Sequence, residues 1–158
     1  VILARIAAAL AVTAWLAGAA AAQTPPVLTL DGKVKHSQHW TMDDLRKLPP
    51  QHVDVSYQTD RGPVNASFAG VPLWSLIETV GLDDDAKGAV IRHAIRITAS
   101  DGWVVVTSTG ELAPDFGAKP VLVAYERDGK PLADFRIVMP GDKHGGRYAR
   151  DVTTISVE

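Results

Sequence analysis

The chain has 158 residues, 46% of them hydrophobic and 22% charged, with a formal net charge of -2 and no cysteine. This is the profile of a globular domain, which excludes a disordered or fibrous chain, and the balanced charge gives no general reason to bind nucleic acid. The lack of cysteine excludes disulfides, thiolate metal ligation and a cysteine nucleophile together.

Residues 1–22 read as a targeting segment. Arg5 precedes an apolar run from Ile6 to Ala20, and Ala20, Ala21 and Ala22 supply small residues before Gln23. The run is short and Ala-rich for a membrane span. The expectation is a signal peptide over 1–22, export to a periplasm-like compartment, and a single domain over 23–158.

From Val27 an apolar stretch meets the Asp31-Gly32 turn signal, and Lys33 to His39 is expected to return as a short strand, giving a hairpin. Thr41 caps a short helix with Asp43 and Asp44 in its first turn, which Pro49-Pro50 ends. His52 to Thr59 alternates, with Val53, Val55 and Tyr57 on one face, and predicts a half-buried strand. It empties into a polar turn over Asp60, Arg61 and Gly62-Pro63. Pro72 opens a second helix whose Leu73, Ile77 and Val80 form a core-facing stripe, and Gly81 ends it.

Asp83 to Gly88 is an acidic turn. Alternation resumes from Val90 and predicts a strand to Asp101-Gly102, with His93 as a hydrogen-bonded core residue. Trp103 to Thr107 continues as a β-branched strand, and Ser108 with Glu111 has capping-box spacing. Val121 to Tyr125 is apolar on both faces, as a covered strand is, and Asp128-Gly129 turns it back. Strands interrupted by two or three short helices give an α+β class with a mixed sheet or barrel-like core.

The most chemically loaded stretch is FRIVMPGDKHGGRYARDV, from Phe135 to Val152. An alternating apolar strand breaks at Pro140-Gly141 and passes into a glycine-rich loop holding Lys143, His144, Arg147 and Arg150. Glycines permit close backbone approach and guanidinium groups offer rigid forks of donors, so the loop suits an anion or a polar ring. The alternative is a solvated hairpin loop whose charges only keep it wet. His36 and His39 have metal spacing only if helical, no paired histidine supports a hydrolase triad at Ser108, and Asp83 to Asp85 read as a solvated charge run. No metal site and no catalytic residue are expected.

Four segments in order, FAGVPLWSLIETVGL, ITASDGWVVV, KPVLVAYERDGKPL and FRIVMPGDKHGGRYARDV, resemble the molybdopterin-binding domain of the sulfite oxidase family over about Val27 to Val157. The resemblance implies that family's fold of mixed β-sheets with few helices, and a pterin pocket lined by loops at one end of the sheets. It also implies a cysteine that binds molybdenum and Arg and His ligands in a longer N-terminal part of the domain. The corresponding region here, VDVSYQTDRG, has Ser56, Tyr57 and Gln58 and no cysteine, and a hydroxyl is a poor substitute for a soft thiolate. The chain is therefore also similar to the small periplasmic pterin-binding regulators of this fold, which lack the cysteine and pass ligand status to a membrane-bound cyclic-di-GMP enzyme. In that reading a pterin or molybdopterin is bound without covalently ligated molybdenum. Arg61 and Arg147 are expected as main donors, with Lys143, His144, Gly145 and Gly146 beside them. Tyr57, Trp103 or Tyr148 would supply the stacking face, and Gln58 an edge hydrogen bond. A small molybdopterin-dependent oxidoreductase and a descendant with a vestigial pocket remain the alternatives.

Overall fold

The computed structural model describes residues 25–158, and the expected signal peptide lies outside them. Nine strands form two sheets over one continuous cluster of buried apolar side chains. The first sheet is mixed, with β1 (Val27–Gly32), β2 (Gln38–Thr41), β5 (Ala94–Ala99), β6 (Val104–Ser108) and β9 (Val152–Val157) in the order β2-β1-β9-β5-β6. Only the β1–β9 pair is parallel. The second sheet is antiparallel, with β3 (Gln51–Thr59), β4 (Gly62–Pro72), β7 (Leu122–Arg127) and β8 (Lys130–Val138) in the order β3-β4-β7-β8. The α+β expectation holds, and two packed sheets replace the barrel-like alternative.

Leu28, Leu30 and Trp40 turn inward from the β1–β2 hairpin. Its second strand starts at Gln38 rather than Lys33, because Gly32 (φ 89) swings the chain out against β9, where a Cβ would overlap the Val157 carbonyl. Helix α1 (Met42–Arg46) is capped as expected. The Asp44 carboxylate accepts from the Thr41 amide and hydroxyl at 3.1 and 2.7 Å, and the hydroxyl bond is the main reason its pKa falls to about 2. Helix α2 (Leu73–Val80) buries Leu73, Leu76, Ile77 and Val80 and stops at Gly81.

Three further boundaries differ from the sequence reading. The β3–β4 turn is only Asp60-Arg61, since Thr59 pairs with Gly62 and the strand runs straight through Pro63. There β4 has β3 alone beside it, because β7 reaches only to Phe68, and a two-stranded ribbon tolerates a missing N–H. Val90 and Ile91 fall in a 3-10 turn, Ala89–Ile91, so β5 starts at Ala94. Trp103 precedes β6 and is 55% exposed rather than in the core. His93 is a core histidine as expected, with its ring nitrogens 2.9 Å from the Glu158 carbonyl and 2.9 Å from Asp84. Ser108 and Glu111 form the capping box of α3 (Thr109–Leu112). Among the described residues no helix is long and apolar enough to cross a membrane.

Candidate functional site

The site is organised by the loop from Pro140 to Asp151, between β8 and β9. Its first half is pinned to β3, where the Gln58 amide donates to the Lys143 carbonyl at 2.9 Å and Gln58 bridges His144. Gly145 then passes over Tyr57. A Cβ there would stand 3.2 Å from Tyr57 Cε2 and 3.3 Å from Thr59 Cγ2, so glycine lets the loop sit this close without shifting either side chain. The chain makes one 3-10 turn over Gly145–Arg147 and sets Tyr148 on Tyr57, with ring centroids 3.8 Å apart and planes at 21°.

Arg147 faces away from that stack into a charge cluster. Its Nε and Nη2 donate to the two Asp142 oxygens at 2.7 Å each, and Lys119 Nζ donates to Asp142 at 2.9 Å. Glu111 Oε1 lies 3.7 Å from Arg147 Nη1. The Arg147 bond, then the Lys119 bond, hold the Asp142 carboxyl below its usual range against the opposing effect of burial. Paired donors in a fixed fork make this a strong local tie, which buckles the loop to the segment after α3.

The other side of the loop is open. Two depressions share Gly145, Tyr148 and Arg150 in their walls. The smaller, about 250 Å³, lies among Asp101, Trp103, Gly146 and Asp151. Trp103 stands over it, its indole N–H donating to the Gly146 carbonyl at 3.2 Å. The larger, about 470 Å³, is ringed by Arg61, Arg127, Arg136 and Arg150, with Asp60 as its one acid.

Arg127 donates to Asp128 at 3.2 Å, whereas Arg61, Arg136 and Arg150 have no ion-pair partner among the described residues. Burial first, and the Arg127 and Arg150 charges after it, push the Arg136 guanidinium down, while the Tyr57 phenol opposes them. Such a concentration of like charge favours an anion. Tyr148, which lines both depressions, keeps its hydroxyl out of solvent. That hydroxyl has no hydrogen-bond partner, and burial pushes its pKa up to about 12, so at neutral pH it is a neutral O–H. A buried hydroxyl without a partner is costly.

The residues expected from the sequence thus separate. Arg61, Trp103, Gly145, Gly146 and Tyr148 line the depressions, as does Tyr57, although its ring is stacked on Tyr148 rather than free. Gln58 serves through its backbone, Lys143 and His144 are exposed outside both walls, and the fork of Arg147 is occupied by Asp142. Arg127, Arg136 and Arg150 were not among the expected donors. The alternation that buries Phe135 and Ile137 puts Arg136 on the opposite face, which was the available signal for it.

A model of the oxidoreductase molybdopterin binding domain matches residues 23–158. The chain belongs to the oxidoreductase molybdopterin binding domain family. Among solved structures it is similar to the sulfane dehydrogenase SoxCD from Paracoccus pantotrophus, at 16% identity and a TM-score of 0.68. That match covers 84% of this chain and 38% of the other, so the chain spans well under half of that relative. At this identity the likeness shows the fold. No curated protein matches the chain.

Membership implies a molybdopterin, and the donor set fits part of it. The guanidinium ring suits an anionic tail, and the exposed Trp103 ring with the Gly145-Gly146 backbone suits the edge and face of a heterocycle. The metal end has no such fit. The chain contains no cysteine, and among the described residues no group of three or more His, Asp or Glu side chains is placed to hold a metal.

Proposed function

We propose that this protein is a binding module for a pterin with an anionic tail, a molybdopterin-like ligand held for recognition without thiolate-ligated molybdenum. The observation that carries this reading is the depression lined by Arg61, Arg127, Arg136 and Arg150, of which Arg61, Arg136 and Arg150 have no ion-pair partner among the described residues. Arg136 and Arg150 hold the tail, with Arg61 and Arg127 completing the ring. Trp103 covers the heterocycle while the Gly145-Gly146 backbone meets its edge. Bound there, the pterin supplies a flat hydrogen-bonding ring, and the protein supplies position and charge. Charge-assisted hydrogen bonds contribute about 1.5 to 3 kcal/mol each and one stacking face about 1 to 3, so a few such contacts reach micromolar affinity, about -8 kcal/mol.

In this reading residues 1–22 direct export, the module works in the periplasm, and its occupancy is presented to the periplasmic domain of a membrane signalling protein. The targeting pattern, the lack of cysteine and the sequence resemblance to the small cysteine-free regulators support this.

The test is to purify the protein from a host that makes both pterins and molybdenum cofactor, extract it, and measure pterin by fluorescence and mass spectrometry and molybdenum on the same sample. Pterin without stoichiometric molybdenum supports the reading. Stoichiometric molybdenum overturns it in favour of a small molybdopterin-dependent oxidoreductase. Failure of any pterin to bind, added or copurified, leaves a vestigial pocket.

A further inference from the structure

Among the described residues, six of the seven large apolar side chains that stand exposed lie on one sheet edge and the segments at its end: Val90, Ile91, Trp103, Val104, Val106 and Phe116. Val104 and Val106 lie on β6, and Trp103 comes just before it. Gly110, just beyond β6, lies against Ile91 and accepts the Gly117 amide at 3.0 Å, next to Phe116. An apolar patch of this kind marks an interaction surface.

The edge beneath the patch is unguarded. Of the four sheet edges, β2 has only 4 residues, β3 carries His52 and Asp54 and is held at Gln58 by the loop, and β8 carries Lys130, Pro131, Asp134 and Arg136. Short length, charges and proline are what keep an edge from pairing. From Gly102 to Gly110 β6 has no charged residue and no proline, and its pairing with β5 runs without a bulge.

Hydrogen bonding fixes which groups are free. The Ala99 amide donates to the Trp103 carbonyl at 2.9 Å and the Thr109 amide to the His93 carbonyl at 3.0 Å. Opposed residues alternate between bonded and non-bonded in an antiparallel pair, so Val105 and Thr107 also face β5, while Val104, Val106 and Ser108 turn N–H and C=O outward. The Ser108 amide is already held by Glu111 Oε2 at 3.2 Å. Val104 and Val106 are left with both groups unmet.

We propose that β6 pairs antiparallel with β6 of a second copy about a two-fold axis at Val105. Val104 of each copy lies opposite Val106 of the other and exchanges N–H and C=O with it, which uses the free groups and leaves Ser108 with Glu111. A second copy is the occupant the charges allow, since no charged side chain on the strand meets its own image. The pairing is isologous and closes at two copies, joining the five-stranded sheets into one. It also sets the Asp101-Gly102-Trp103 turn of each ligand site beside the interface. None of this depends on which ligand the site takes.

Sedimentation equilibrium of the purified protein tests the pairing, alongside Val106→Lys, Val104→Lys and, on the guarded β3 edge, His52→Lys. The unsubstituted protein and His52→Lys are expected as dimers at concentrations on the order of 100 µM, and each β6 lysine is expected to raise the dissociation constant by at least about tenfold, because it places a charge against the partner's valine and sets two like charges diagonally across the axis. Unchanged circular dichroism and melting temperature exclude unfolding as the cause. In the dimer the Val104 and Val106 amides exchange slowly with solvent despite their edge position. A monomer at that concentration overturns the proposal, as does a dimer that survives both lysines or leaves those two amides fast.

Discussion

Arg147 and Arg150 lie three residues apart in one loop and have opposite fates. Arg147 spends its fork on Asp142, beside Lys119 and Glu111, whereas Arg150 joins Arg61 and Arg136 around a depression with no counterion of its own. The buckled side holds the loop in shape and the open side offers charge to a ligand. The difference teaches that a guanidinium in a glycine-rich loop becomes a ligand donor only when the fold leaves it without a carboxylate.

Substitution of Arg150 should separate the two sides most. Arg150→Ala is expected to weaken binding of a phosphorylated pterin by about tenfold to a hundredfold, the loss of one charge-assisted bond, with little change in melting temperature. Equal losses of affinity and stability would erase the distinction. On the buckled side, Asp142→Asn leaves Arg147 and Lys119 facing a neutral amide. Because the pair is partly solvated, the expected loss of stability is about 1 to 2 kcal/mol, or a fall of about 3 to 6 °C in melting temperature by calorimetry.

Acid sharpens the same contrast. The Asp142 pKa is depressed in the folded protein, so the stability it contributes is fully present above the unfolded aspartate value of about 3.9 and is lost as pH falls through the folded value. Denaturation followed from pH 6 to pH 3, a range of about three units around that value, should show Asp142→Asn converging on the unsubstituted protein at the acid end. A gap that stays constant throughout would mean that Asp142 acts by packing rather than charge. The smallest effect belongs to Tyr148→Phe. Removing an unpaired buried hydroxyl is expected to leave the free protein unchanged or up to about 1 kcal/mol more stable, with pterin affinity kept because the hydroxyl is closed off from solvent. Loss of stability would mean that the hydroxyl serves the fold.

Much of the fold was legible because its signals are local. The Thr41 and Ser108 caps, the α2 stripe, the alternation of β3 and the Asp128-Gly129 turn each depend on residues within a few positions of one another. The misplaced starts of β2, β4 and β5 were set by contacts from far along the chain, such as the Gly32 approach to Val157 and the short reach of β7 beside Pro63. The site divided in the same way. Its loop was visible as a motif, but the engagement of Arg147 depends on where Asp142 and Lys119 come together, and the guanidinium ring is assembled from a β-turn, a hairpin and the loop. Trp103 was read as the first residue of a β-branched strand as well as a stacking face, and its position before β6 leaves it exposed beside the loop.

The central claim is that the open side of the loop holds a pterin by its anionic tail while the buckled side only shapes the loop. Calorimetric titration of a phosphorylated reduced pterin into the unsubstituted protein, Arg150→Ala and Arg147→Lys tests it most directly. The account predicts micromolar binding, lost by at least about tenfold in Arg150→Ala and largely kept in Arg147→Lys, where one charge still faces Asp142. No binding to the unsubstituted protein, or a greater loss at Arg147 than at Arg150, would contradict it.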